Sequence, residues 1–114
     1  MTYVFDIDGT ICTKQCELTG GSYLLSEPLT DRINKVNSLY DAGHTIIYMT
    51  ARGMGRSDNN AQKAIQDFYT LTAKQLSEWG CKYHSLFLGK PAADYYIDDK
   101  GMNDEKFFTD SLCP

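Results

Sequence analysis

The stretch from residue 29 to residue 49 constrains the fold more than any other. Leu29, Ile33, Val36, Leu39 and Tyr40 recur at helical spacing, Gly43 supplies a stop, and an apolar run (HTIIYM, 44–49) follows at once. An amphipathic helix feeding a short apolar run is the second half of a βαβ unit, because a strand buried in a parallel sheet reads as a continuous apolar segment. Tyr3, Val4 and Phe5 supply the first strand of that unit.

The pattern then repeats. Ala61, Ile65, Phe68, Thr72, Leu76 and Trp79 mark one face of a second helix, with Gly80 after its end, and 85–88 and 95–97 are further strand candidates. Strand, helix, strand, helix, strand implies right-handed crossovers and a mostly parallel sheet. One link resists: the six residues 89–94 are fewer than the dozen or more that a parallel crossover takes. Either 85–88 pairs irregularly or that link is extended. Residues 11–27 read as a loop or small hairpin, and 51–60 (ARGMGRSDNN) as a glycine-rich polar loop.

With 114 residues the chain is a single domain, 1–114. Eleven basic against fifteen acidic residues give a net charge of -4, which argues against broad attraction to nucleic acid. No apolar run is long enough for a membrane span and the start lacks a secretion signal, so a cytoplasmic protein with no membrane association is expected. Cys12, Cys16, Cys81 and Cys113 are then expected as free thiols, and no Cys or His pair complements Cys12 and Cys16 at zinc-ligand spacing.

Four chemically loaded positions follow strand ends: Asp6 with Asp8, Thr50, Lys90, and Asp98 with Asp99. In a parallel sheet those ends share one edge, so residues distant in sequence converge on one crevice. Gathered carboxylates need a cation, and magnesium takes one or two carboxylates while leaving positions for water and phosphate oxygens. Lys90 and Thr50 suit phosphate oxygens, and the amides of the turn at Gly9 form an expected anion nest. Together these features describe phosphoryl transfer.

The ordered set DIDGT, YMTARG, GKP and YYIDDK resembles the haloacid dehalogenase-like hydrolases, most of them magnesium-dependent phosphatases, across nearly the whole chain. INKVNSLYDAGHTIIYMTARG and GKPAADYYIDDK look like the small capless members associated with capsular polysaccharide biosynthesis. The resemblance implies an α/β, three-layer Rossmann-like fold with helices on both faces of the sheet. Asp6 would be the nucleophile that forms an aspartyl-phosphate, and Asp8 the general acid and base. Thr50 and Lys90 would hold the phosphoryl oxygens, with Gly9, Thr10, Ala51 and Arg52 as further phosphate or substrate contacts. Asp6, Asp8, Asp98 and Asp99 would bind Mg2+, the direct ligand of the last pair being unassigned.

No cap domain fits. Forty-one residues separate Asp8 from Thr50 and 39 separate Thr50 from Lys90, and the helices and loops use most of them. The crevice is expected to be open, with water exclusion left to the 11–27 loop, the 51–60 loop or a neighbouring chain in a homo-oligomer.

Each residue also has a plainer reading. Arg52 and Arg56 either contact substrate or keep a glycine loop soluble. His44 opens a strand and is expected to be structural; His84 has no visible partner. Tyr95 and Tyr96 should divide between the core and a helix or solvent. Trp79 and Phe68 are expected in the core, and Cys12 is given no role.

The leading expectation is a phosphomonoesterase acting on a small phosphorylated metabolite such as a sugar phosphate. A nucleic-acid end phosphatase is the second, with Arg52, Arg56 and Lys63 as a local basic track. A receiver-like signalling domain uses similar residues but places its acidic pair early, whereas here the adjacent pair comes late. A phosphate-binding protein without turnover is the remaining alternative.

Overall fold

The computed structural model describes residues 1–14 and 23–109. Three strands, β1 (Thr2–Phe5), β2 (Thr45–Thr50) and β3 (Ser85–Leu88), form a parallel sheet in the order β1-β2-β3. Phe5 stands beside Tyr48, and Tyr48 beside Leu86, so the polar ends Asp6, Thr50 and Gly89 finish at one edge. Helix α1 (Thr30–Asp41) connects β1 to β2, and α2 (Ala61–Glu78) connects β2 to β3. A 3-10 turn (Tyr23–Leu25) precedes α1 and a short α3 (Asp104–Thr109) closes the described chain. Among the described residues no helix is long and apolar enough to cross a membrane.

Local chemistry sets these boundaries. At the end of α1 the His44 amide donates to Leu39 O at 3.1 Å, a closure that needs the left-handed backbone of Gly43 (φ 95°). At the start of α2 the Asn60 side chain accepts from the Lys63 amide at 3.1 Å, capping one of the otherwise unpaired first-turn donors.

The steps from β1 to β2 and from β2 to β3 go the same way, so two right-handed crossovers place α1 and α2 on the same face. Phe5, Ile46, Tyr48, Leu86 and Leu88 line that face and pack into one core with Ile33, Val36 and Leu39 of α1 and Leu76 of α2. Phe107 and Phe108 of α3 join it against Phe5, with ring centroids 5.4 and 6.2 Å away. The opposite face carries Val4 and Phe87, 59% and 53% exposed. Helices on both faces were the expectation; the described helices cover one.

Two further expectations change. The buried face of α2 is Ala64, Thr72, Gln75 and Leu76, while Ile65 is 45% exposed; Phe68 and Trp79 pack partly into the core as anticipated. Tyr95, Tyr96 and Ile97 form no strand and all three side chains are exposed. Strand β3 itself pairs regularly, so the short link after it is extended rather than helical.

Candidate active site

The turn that follows β1 builds the first half of the site. The Thr10 and Ile11 amides both donate to Ile7 O, and the Gly9 amide donates to Cys12 O, a closure that uses the positive φ of Gly9 (80°). The amides of Gly9 and Thr10 are therefore spent inside the turn rather than turned outward as an anion nest. What the turn achieves is placement: Ile7 is fully buried, so the flanking Asp6 and Asp8 stand at the edge of the sheet.

Asp6, Asp8, Thr50 and Lys14 line an open cleft of about 310 Å3 together with Ala92 and Tyr96. Lys90 approaches from the end of β3: its amide donates to Thr50 O at 3.2 Å and its Nζ lies 4.0 Å from Asp6 Oδ1. Burial pushes the Asp6 carboxyl above its ordinary value, against the pull of Lys90 and the Ile7 amide. A carboxylate in this state gains from any cation placed beside it. Thr50 is buried, its backbone tied to Lys90 and its Oγ1 accepting the Arg52 amide at 3.1 Å.

Arg52 occupies a position unlike either expectation. It is 2% exposed, and its guanidinium reaches inward to Asp8, with Nε to Oδ2 at 2.9 Å and Nη2 to Oδ1 at 3.0 Å. Nη1 donates to Gln75 Oε1 at 2.6 Å and to Thr72 Oγ1 at 3.3 Å. A planar fork with its donors so engaged orients Asp8 and has nothing left to offer a phosphate. The Tyr23 ring lies 4.8 Å from the guanidinium carbon and the Tyr23 hydroxyl accepts the Gly53 amide, fastening the 3-10 turn to this wall. Arg56 stacks over Tyr23 and Phe68 instead of facing the cleft. Ala51 lines the cleft as expected of a substrate contact.

Cys12 is buried beside Asp8, its thiol donating to Oδ1 at 3.4 Å, and burial with the Asp8 charge pushes it up to about 12. Cys16 and Cys113 lie outside the described residues. The described ends of the 11–27 segment come together, the Thr13 amide donating to Glu27 O and the Glu27 amide to Thr13 Oγ1, with the Leu29 amide donating to Ile11 O; residues 15–22 lie outside the described residues. His44 and His84 are structural: His44 Nδ1 meets the N-terminal amine at 3.1 Å, and His84 Nδ1 accepts the Ile46 amide while its ring stacks on Tyr40.

Asp98 and Asp99 stand apart from this cleft. Both are exposed, and Asp98 accepts the amides of Lys100 and Gly101, which hold it below the ordinary carboxylate range. Among the described residues no three His, Cys, Asp or Glu side chains gather at a spacing that would hold a metal ion. The structure thus joins Asp6, Asp8, Thr50 and Lys90 and leaves the acidic pair out. Lys14 is the residue that sequence reasoning overlooked. It follows the DIDGT turn by four residues, and a cation there in an acidic chain was the available signal.

No family model and no curated protein matches the chain. A crystal structure described as an MCSG target from Vibrio cholerae is similar to it at 24% identity, over 97% of this chain and 89% of that one, with a TM-score of 0.83. That likeness establishes a shared α/β fold.

Proposed function

We propose that this chain is a magnesium-dependent phosphomonoesterase of the haloacid dehalogenase-like type, cytoplasmic and capless, acting on a small phosphorylated metabolite such as a sugar phosphate. One observation carries the reading: two carboxylates two residues apart at a strand end line a cleft with Lys14 and Thr50, and the Lys90 ammonium lies 4.0 Å from Asp6. Acidic groups and cationic donors facing one another around an open space match a phosphate monoester better than either charge alone would.

Asp6 attacks phosphorus, forming a bond to one carboxylate oxygen as the bond to the leaving oxygen breaks. Asp8 supplies the proton that the leaving alkoxide takes up, then accepts one from the water that attacks the aspartyl-phosphate and returns Asp6 to its free form. Arg52 fixes the direction of both Asp8 oxygens; Oδ1 also accepts the Cys12 thiol, so it is Oδ2 that keeps a lone pair for the proton. Lys90 and Lys14 neutralise the equatorial oxygens, and the Thr50 hydroxyl donates to one of them.

Magnesium would be held by Asp6, a half-buried carboxylate whose counter-charge Lys90 stands 4.0 Å away, together with the main-chain carbonyl of Asp8. A bound magnesium ion would draw negative charge from the phosphoryl group. The set within one chain is thin, because Asp8 is engaged by Arg52 and Asp98 and Asp99 lie outside the cleft.

The deciding experiment is phosphate release from a panel of phosphosugars, nucleotides, an end-phosphorylated oligonucleotide and an aryl phosphate, with and without magnesium. Release that requires magnesium and vanishes in Asp6→Asn supports the reading. Release equal to that variant's background with every compound refutes it and favours a phosphate-binding or receiver-like role. Preference for the oligonucleotide would favour the end-phosphatase alternative; the burial of Arg52 removes one member of its basic track.

A further inference from the structure

We propose that Gln75, a helix residue that does not line the cleft, is a positioning residue for the proton-carrying oxygen of Asp8 and acts through Arg52. The consequence for proton transfer rests on the phosphatase reading above; the hold of Gln75 on Arg52 does not.

Helix α2 turns Ala64, Thr72, Gln75 and Leu76 inward, and a buried amide among them is costly unless both its halves are paired. Gln75 is 6% exposed, and both halves are used. Its Oε1 accepts Arg52 Nη1 at 2.6 Å, and its Nε2 donates to Tyr23 O at 2.6 Å. The second bond fixes the first. A carbonyl only accepts, so the amide nitrogen must face Tyr23 and the amide oxygen must face the guanidinium. Three residues earlier on the same face of the helix, Thr72 is fully buried and its Oγ1 accepts the same Nη1 at 3.3 Å.

These two acceptors set how the guanidinium lies in its own plane. A carboxylate pairs with arginine either side-on, through Nε and one Nη, or end-on, through both Nη groups. Here the pair is side-on, with Nε to Oδ2 of Asp8 at 2.9 Å and Nη2 to Oδ1 at 3.0 Å. An end-on pair would need Nη1 to swing to Asp8, and Nη1 is the nitrogen that Gln75 and Thr72 hold.

The register matters because the two Asp8 oxygens differ. Oδ1 accepts Nη2 and also the Cys12 thiol at 3.4 Å, which engages both of its lone pairs. Among the described residues Oδ2 accepts Nε alone, so it keeps a lone pair for a proton. As the phosphorus–oxygen bond breaks, the leaving oxygen keeps the electron pair and takes that proton from Oδ2. The water that opens the aspartyl-phosphate then returns a proton to the same oxygen. Gln75 thus selects the oxygen that carries the proton and the direction in which it is offered.

A Gln75 that served only to satisfy a buried cation would lower stability and slow every substrate alike. A positioning Gln75 gives a loss that depends on the leaving group. An alkoxide needs the proton as its bond breaks, whereas a nitrophenolate leaves without one, so a misplaced acid slows the alkyl phosphate selectively.

The test uses the full chain with magnesium and the variant Gln75→Met, which keeps the side-chain length and removes both amide contacts. Rapid quench reads the rate of aspartyl-phosphate formation, so the water step common to all substrates does not enter. The ratio of the rate with glycerol phosphate to that with p-nitrophenyl phosphate should fall about tenfold or more from its wild-type value. Equal losses with the two substrates overturn the proposal. If Gln75→Met does not fold, Thr72→Val removes the weaker acceptor of the same Nη1 at nearly constant volume. Its ratio should fall in the same direction, by about threefold, and an unchanged ratio overturns the proposal.

A second arm needs no turnover. In protein carrying isotope-labelled arginine, the Nε–H signal of Arg52 is assigned by its loss in Arg52→Met. Gln75 does not touch Nε, yet Gln75→Met should speed exchange of that hydrogen with solvent about tenfold, because the Nε bond to Asp8 is no longer held in register. Unchanged exchange overturns the proposal. A wild-type chain that releases no phosphate removes the phosphatase reading, and faster exchange in Gln75→Met then still upholds the hold on Arg52. Phosphate release with ratio and exchange both unchanged does the reverse.

Discussion

Replacing Arg52 with methionine removes a buried cation from four partners while keeping much of its volume. Asp8, Gln75 and Thr72 lose donors at 2.6 to 3.3 Å, and Tyr23 loses the charge above its ring. Deleting one member of a buried pair costs 3–5 kcal/mol, because the other charge is stranded. Asp8 keeps 17% of its side-chain exposure, so water relieves part of that penalty and the lower end applies, about 3 kcal/mol. For a domain of this size that is a fall in Tm of roughly 12 °C. The assay is urea and thermal denaturation followed by circular dichroism, on the single variants Arg52→Met and Asp8→Asn and on the double. The two side chains share their hydrogen bonds, so the cycle should show a coupling of about 1.5 kcal/mol or more. A cost for Arg52→Met below about 1 kcal/mol, or a coupling inside the ~0.5 kcal/mol scatter of independent sites, would refute the view that Arg52 is the buried anchor of Asp8.

Other perturbations probe separate parts of the account. Gly53 has φ 79° and a Cβ there would come within 2.5 Å of the Phe68 ring, so Gly53→Ala should destabilise by about 2 kcal/mol or more in the same denaturation assay. Lys90→Met should lower kcat by roughly a hundredfold or more with little loss of fold, since it removes a cation facing Asp6 and the transferring phosphoryl group. The Cys12 thiol sits at about 12, so peptide-mapped alkylation at pH 8 should find it reacting at least about a hundredfold more slowly than in urea. The same shift sets a sign: the unfolded thiol ionises first, so above the ordinary value of 9.0 the contribution of Cys12 to stability falls as pH rises, and Cys12→Ala should flatten that limb.

Periodicity made most of the scaffold legible. The apolar runs at β1, β2 and β3 and the helical stripe of α1 need only local pattern, and strand polarity then places Asp6, Thr50 and Lys90 at one edge. What escaped depends on partners far along the chain. Arg52 reads as a substrate contact or a solvated loop residue until Asp8, 44 positions earlier, and Gln75, 23 later, are brought to it. The inward face of α2 escaped for the same reason: a hydrophobic stripe assigns Ile65 to the core and Gln75 to solvent, whereas Gln75 is buried as a hydrogen-bond partner of Arg52. Tyr95–Ile97 has the composition of a strand but joins no ladder, and composition carries no information on whether a partner strand is at hand.

The most direct measurement of the central claim is chemical quench of the enzyme during turnover of a radiolabelled phosphomonoester with magnesium, followed by peptide mapping. Label on the peptide holding Asp6, absent in Asp6→Asn, is the result predicted. Phosphate released at the full rate with no label on Asp6 at any quench time, or with label on another residue, would contradict it.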